Sequence, residues 1–238
     1  MVVYILDMHS HILPCVDDGS TSLEMSISML EESYNQGVNT IVATPHYYIS
    51  RHSDMDRYLD KRGNAFSQLQ SSVKDRTDVP DIYLGAEVRY FNNLANFEEL
   101  DKLTINNGEY FLLEMPFAQW NDRIILDVEN IIYKRKLKPV IAHIERYIGF
   151  QKGTDSINEL LALDVIVQSN AAFVNSIFSR SKALKWIDSE IIQILGSDCH
   201  NMGNRKPDLG KAYNIVSKKL GEDKVNSMNN LAKTVLGI

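Results

Sequence analysis

Five of the six histidines in this chain fall in four short clusters, Asp7-Met8-His9-Ser10-His11, Thr44-Pro45-His46, His143-Ile144-Glu145-Arg146 and Asp198-Cys199-His200, and only His52 stands apart. Each cluster follows an apolar, strand-like run. A residue this scarce is not expected to recur by chance at one structural position, whereas a metal centre built from the ends of several strands requires it. His9 and His11 are two residues apart, which sends both imidazoles to one side of an extended chain. Further runs end at His46, Glu87, Glu114, His143, and Asp198 with His200. Neutral imidazole and carboxylate suit Mn, Fe or Zn, and these eight groups, or nine with Asp18, exceed the needs of one ion. The pattern predicts two or three divalent metals. Taken singly, each piece has a plainer reading. A His-x-His pair occurs on surface strands, Asp17-Asp18-Gly19 reads as a turn before a helix, and Glu87 has Arg89 as a potential partner. Glu114, among Leu112, Leu113 and Met115, reads as a buried structural carboxylate, which is costly when unpaired. His143, after Pro139-Val140-Ile141-Ala142, reads as a hydrogen-bonded core histidine. All of these readings would have to hold independently at six strand ends.

The elements that must position these groups are visible as alternation. Apolar runs near residues 2 to 7, 39 to 44, 81 to 86, 110 to 115, 138 to 143, 164 to 169 and 191 to 197 read as strands, with helical stretches between most of them. Runs such as Val165-Ile166-Val167 suit strands buried on both faces of a parallel sheet. The clearest helix spans about 21 to 36, with Leu23, Ile27, Leu30 and Tyr34 as its apolar stripe, Thr21 and Glu24 at capping-box spacing and Gly37 as its stop. A second, about 120 to 136, carries Ile124, Ile125, Val128, Ile131 and Ile132. Seven β-α units predict a closed or nearly closed barrel, whose chemistry sits where strands hand over to the following loops.

A length of 238 residues suits a single α/β barrel domain over 1–238, and 44% hydrophobic with 24% charged residues is ordinary for a globular chain. The N-terminal apolar run has no basic flank, and no stretch approaches the roughly 18 apolar residues of a membrane span. A cytoplasmic protein without membrane insertion is expected. Cys15 and Cys199 are too few for a disulfide framework. The net charge of −6 argues against a nucleic-acid partner.

The segments His9 to Pro14 through Asp17-Asp18-Gly19, Ala43 to Tyr47, Gly85 to Arg89, His143 to Tyr147 and Gly196 to His200, in this order, resemble the PHP (polymerase and histidinol phosphatase) superfamily. More closely they resemble its bacterial tyrosine-phosphatase branch, the CpsB/CapC type of capsule and exopolysaccharide operons. The resemblance implies a distorted (β/α)7 TIM-like barrel of the PHP type and a trinuclear centre, usually manganese. It implies one metal on His9, His11, Glu87 and Asp198, a second on Glu87, Glu114 and His143 with Glu87 bridging, and a third on Asp18, His46 and His200. Asp7, Asp17 and Asn170 would orient imidazoles or waters, Arg146 and Arg205 would clamp phosphate, and His200 or a metal-bound water would protonate the leaving tyrosinate. The implied partner is a phosphotyrosine protein, the C-terminal tail of a bacterial autophosphorylating tyrosine kinase. Two departures from the family pattern, Cys15 where glycine is common and Ile144 where proline is common, remove no ligand.

Three alternatives remain open at this level. Cys199 to Arg205 has the Cys-x5-Arg spacing of cysteine-dependent tyrosine phosphatases. The same fold serves phosphoesterases of small molecules such as histidinol phosphate, and a metal-binding regulator without activity is the third. The segment Tyr47, Tyr48, Arg51, Arg57, Lys61 and Arg62 is expected at the rim of the site, where aromatic and basic groups could meet a phosphotyrosine peptide.

Overall fold

The structure is a computed structural model and describes residues 4–50 and 54–238, so Arg51 and His52 lie outside the described residues. The strands are β1 (Ile5–Ser10), β2 (Val38–Ala43), β3 (His46–Tyr47), β4 (Asp81–Leu84), β5 (Glu87–Arg89), β6 (Tyr110–Glu114), β7 (Lys138–Ile141), β8 (Ile166–Asn170) and β9 (Ile194–Gly196). The helices are α1 (Leu23–Asn35), α2 (Met55–Val73), α3 (Asp122–Asn130), α4 (Asp155–Leu161), α5 (Ala171–Asn175), α6 (Arg180–Asp188), α7 (Leu209–Leu220) and α8 (Glu222–Leu236). Every strand pair is parallel. All seven expected strands are present, and the second and third are each split in two. Pro45 has no N–H to give to a ladder, yet Gly85 N donates to Ala43 O and Glu87 N to Pro45 O, so pairing resumes beyond the break.

The hydrogen-bonded order β1-β2-β4 followed by β3-β5-β6-β7-β8-β9 is therefore one curled sheet of seven β-α units. Its last strand returns to its first: Ser10 bridges Cys199, and Asp198 N donates to His9 O at 2.8 Å. This is the expected distorted (β/α)7 barrel. Inside it, Leu6, Met8, Val42, Leu112, Val140 and Ile194 pack with Ala232, Val235 and Leu236 of α8. Asn229 of α8 accepts from Leu6 N at the start of β1, so α8 closes the N-terminal ends of the strands. The other ends are left for chemistry.

A register shift between Asp7 and Ser10 decides what β1 presents there. Asp7 pairs with Ile41 and Ser10 with Ala43, so three steps on β1 match two on β2. One extra residue reverses the alternation of faces. Met8 thus joins the interior cluster while His9 and His11 beyond it also face inward.

Helix α1 differs from expectation in two details. Its cap is Ser22, whose hydroxyl accepts from Met25 N at 3.2 Å, in place of Thr21. Its buried face is Ser26, Met29, Leu30 and Ser33, whereas Tyr34 is exposed. The two serine hydroxyls bond back to Ser22 O and Met29 O, so polar residues occupy a packed face that hydropathy reads as surface. Gly37, at φ +86°, ends the helix as expected. Helix α3, expected at about 120 to 136, is capped by Asn121 and passes at Ile131–Arg135 into a π-turn.

Candidate metal centre

Glu87 at the start of β5 is the centre of the cluster. Its Oε2 lies 3.2 Å from His9 Nε2, 3.3 Å from His11 Nε2 and 2.8 Å from His46 Nδ1, and its Oε1 is 2.8 Å from His143 Nε2. One buried carboxylate thus touches four imidazoles. The bulge in β1 brings His9 Nε2 and His11 Nε2 to 3.1 Å. Asp198 Oδ1 approaches them at 3.5 and 3.4 Å. His143 and Asp198 both stand two residues beyond the end of a strand at positive φ, 33° and 53°, a region that non-glycine residues occupy at a cost of about 1–3 kcal/mol. The turns that aim these two donors inward are strained. Cys15 also sits at positive φ, 60°, which accounts for the glycine common in its place.

Three sets of donor atoms lie within 4.8 Å of one another: His9, His11 and Asp198; His46, Glu87 and Glu114; and His11, Asp18, His46 and His200. All nine residues expected as ligands meet at the strand ends, since His143 joins through Glu87. Two groupings differ from those the resemblance implies. His46 joins Glu87 and Glu114 in one set, while His143, which the resemblance places there, lies 2.8 Å from Glu87 and 3.9 Å from Glu114. His11 joins the set of Asp18, His46 and His200.

Charge in the cluster is organised around Glu87 and Asp198. Burial would raise the pKa of Glu87, but His9 and His46, with hydrogen bonds from His11 and His143, hold it well below the carboxylate range. Asp198 is likewise held low against burial by His9, His11 and Arg146. Burial opposes charge on His11, yet Asp17, Asp198 and Glu87 lift it well above its ordinary value. Glu114 is pushed up to about 7 by burial and by the charge of Glu87. Among the described residues, Glu114 Oε2, His143 Nδ1 and His200 Nε2 are buried without a hydrogen-bond partner, and Glu87 Oε2 and His46 Nδ1, though 2.8 Å apart, are not aligned for a hydrogen bond to each other. Such atoms are costly unless something else coordinates them. The donor set and its unpaired atoms fit divalent cations.

The surrounding residues hold the donors. Asp17 Oδ2 accepts from His11 Nδ1 at 2.7 Å, the expected orienting contact. Asp7 and Asn170 act otherwise than expected. Asp7 Oδ1 accepts from the backbone N–H groups of Ser197 and His9, tying β9 to β1, and Asn170 Nδ2 donates to Asp198 Oδ2 at 2.8 Å. Sequence reasoning missed Gln168, whose Oε1 accepts from His143 N at 2.7 Å and lies 3.3 Å from His9 Nδ1. The signal was present: Gln168 and Asn170 are polar residues two apart in a strand otherwise buried on both faces.

Arg146 and Arg205 both grip Asp198, through Nη2 to Oδ2 and Nη2 to Oδ1, the latter at 2.7 Å. They are not free cations, but both side chains remain more than a third exposed and a guanidinium has five donors, so each keeps donors beyond those on Asp198. His200 Nδ1 lies 3.0 Å from the carbonyl of Asp198. A carbonyl only accepts, so Nδ1 carries the proton and Nε2 is left as a bare donor. Burial and His11 lower its pKa to about 3, which suits a ligand and does not suit the acid role expected for it.

The cysteine alternative fails here. Cys199 is fully buried beside Ile12 and Leu13, and burial pushes its thiol well up, away from the thiolate a nucleophile needs. Of the expected rim segment, Tyr48 stacks on His46 at 4.8 Å with Arg89 over its ring. Arg62 turns inward to the carbonyls of Gly85 and Lys102, and Lys61 bonds Val16 O.

A curled parallel β/α sheet with a buried histidine and carboxylate cluster at the ends of its strands defines a PHP-type barrel with a candidate multinuclear metal centre. Comparison with known proteins narrows this. The chain belongs to the CpsB/CapC capsular polysaccharide synthesis family, whose pattern matches residues 5–235. It is 32% identical over 232 residues to the tyrosine-protein phosphatase CpsB of Streptococcus pneumoniae, covering 94% of each chain. It is 27% identical over 226 residues to the tyrosine-protein phosphatase YwqE of Bacillus subtilis strain 168, covering 92% of this chain and 86% of that one. The fold matches a crystal structure from a study of YwqE from Bacillus subtilis and CpsB from Streptococcus pneumoniae, described as metal-dependent tyrosine phosphatases. The TM-score is 0.82 at 24% identity, over 98% of this chain and 94% of that one.

Proposed function

We propose that this chain is a metal-dependent protein-tyrosine phosphatase, a single PHP domain over 1–238 that hydrolyses phosphotyrosine on a cytoplasmic bacterial tyrosine kinase governing capsule or exopolysaccharide synthesis. The observation that carries the reading is the set of unpaired buried donors around Glu87, in a family whose relatives are named tyrosine-protein phosphatases. His9, His11, Asp18, His46, Glu87, Glu114, His143, Asp198 and His200 would hold two or three divalent ions, manganese first, with iron or zinc as alternatives. When bound, the ions supply Lewis-acid neutralisation of phosphoryl charge and activation of the attacking water.

The chain's own groups do the rest. The outward donors of Arg146 and Arg205 bind the non-bridging phosphoryl oxygens while their inner donors hold Asp198. Asp17, Gln168 and Asn170 keep His11, His9 and Asp198 in place, so little reorganisation is needed when charge develops. Tyr48, stacked beside His46 at the mouth, offers a ring face to the substrate phenol. The leaving tyrosinate, with a pKa near 10, departs without strong acid assistance, consistent with a His200 that has no proton on Nε2. The test is a panel of phosphotyrosine peptide, phosphoserine peptide and histidinol phosphate, with manganese and with chelator. Metal-dependent turnover of the phosphotyrosine peptide alone supports the reading. Preference for histidinol phosphate would replace it with a small-molecule phosphoesterase.

A further inference from the structure

Beside the metal cluster lies a cavity of about 1100 Å³ that shares Asp198, Arg146, Arg205 and Asn170 with it and runs away along α7. Its lining carries six cationic side chains, Arg146, Arg180, Arg205, Lys206, Lys211 and Lys218, against three carboxylates, Glu32, Asp198 and Asp208. In a chain whose net charge is −6, this excess is local. All three carboxylates are already engaged, Asp198 by both nearby arginines, Asp208 by Asn175 and Glu32 by Gln36. Lys206 and Lys211 face Asp208 from a distance and partly offset the rise that burial imposes on it. Among the described residues, no ion pair within 4.0 Å involves Arg180, Lys206, Lys211 or Lys218. Among the described residues, the Arg180 guanidinium donates only to the neutral carbonyls of Val174 and Asn175, which leave its charge uncompensated.

The groove is built on fixed walls. A Cβ on Gly210 would stand 2.2 Å from Gln36 O, so only glycine lets the start of α7 seat against the end of α1. Gln36 Nε2 then donates to Pro207 O at 2.8 Å, closing the same corner. Lys211, Asn214 and Lys218 recur at helical spacing on the face of α7 that lines the cavity. Seven residues at about 1.5 Å rise place the two lysines about 10 Å apart along the helix. That is the length of about three residues of extended peptide at roughly 3.3 Å each.

We propose that this groove binds an acidic stretch of the substrate protein flanking the phosphotyrosine, with Lys211 and Lys218 reading carboxylates while Arg146 and Arg205 hold the phosphate. The inference rests on the phosphatase reading and adds a substrate preference to it. The carboxylates lie on whichever side of the phosphotyrosine enters the groove. Neither lysine takes part in the metal cluster.

The test compares wild type with Lys211→Glu/Lys218→Glu on three phosphotyrosine peptides: acidic residues two to four positions before the phosphotyrosine, the same after it, and glutamines on both sides. Wild type is expected to favour one acidic peptide over the neutral one, more strongly at low salt. The double variant should raise KM for that peptide by about tenfold, on the scale of two exposed ion pairs. Its kcat, its use of the neutral peptide and its turnover of p-nitrophenyl phosphate should not change. Lys211→Gln/Lys218→Gln should give a smaller change in the same direction. Binding of the labelled, unphosphorylated acidic peptide, followed by fluorescence anisotropy, reads the groove without turnover. Charge-dependent binding without hydrolysis would sustain the groove and remove the phosphatase reading. Equal behaviour of acidic and neutral peptides in both assays overturns the groove, whatever the turnover.

Discussion

Gly196→Ala adds one methyl group where β9 closes on β1 and changes no charge and no ligand. The new Cβ would lie 2.5 Å from His9 Cβ, 2.9 Å from Gln168 Nε2 and 3.0 Å from His9 N. The first and last contacts involve strand backbone or the first side-chain carbon, which cannot swing aside. Relief requires β1 and β9 to part, at a cost of about 1–3 kcal/mol for an overpacked methyl. At about 2–4 °C per kcal/mol for a chain of this size, the melting temperature should fall by roughly 2–12 °C. The matched control is Gly63→Ala in the middle of α2, where a Cβ meets nothing within 4 Å. There the gain in helix propensity is about 0.5–1 kcal/mol, so the same substitution should stabilise. Calorimetry with chelator isolates the packing loss, because binding then adds nothing to the folded state. Calorimetry and metal analysis after loading should show a further loss for Gly196→Ala alone, because His9 is displaced from Asp198 and Glu87. If Gly196→Ala keeps both the wild-type melting temperature and metal content while Gly63→Ala stabilises, the close approach of β9 to β1 is refuted.

Loading metal into the apo protein at neutral pH should release protons. Burial disfavours charge on His9 and His11, but Glu87, Asp17 and Asp198 raise both above the ordinary imidazole value, so the metal-free fold keeps protons that a ligand must give up. Apparent affinity should therefore rise with pH by about tenfold per unit for each proton displaced, until the imidazoles titrate unaided. Titration calorimetry in two buffers of different ionisation enthalpy measures this, and heats identical in both buffers would contradict it. Arg205→Ala should cut turnover by about 100-fold, the scale of losing a transition-state donor, with metal content near wild type because Arg146 and Asn170 still hold Asp198. Loss of metal in step with activity would make Arg205 a support for the centre alone. Cys199→Ser should retain most turnover, since the buried thiol has no role in phosphorus chemistry; an inactive variant with full metal content would reinstate the cysteine mechanism.

The identity of the donors and the order of the strands were legible in the sequence because both are local signals. Histidine is scarce, and each time it follows an apolar run it marks a strand end; parallel strands buried on both faces read as continuous hydrophobic segments. The seven strands, the stop at Gly37 and the meeting of all nine donors follow from such signals. What remained hidden depends on partners distant in the chain. The bulge that turns Met8 and His9 to the same side is a matter of register against β2, and nothing within residues 5–10 records it. Serines on the buried face of α1 are polar by type and packed by position. Arg62 is as basic in sequence as Arg57, but the carbonyls that receive it belong to Gly85 and Lys102. His46 reaches Glu87 because the break at Pro45 lets β3 pair anew with β5. Arg146 closes on Asp198, and α1 meets α7 to form a basic groove, through contacts between residues 52 and 171 positions apart. Residue types declare which chemistry is available, while tertiary packing, by deciding which buried charges must neutralise one another, sets where each group points and what it can still bind.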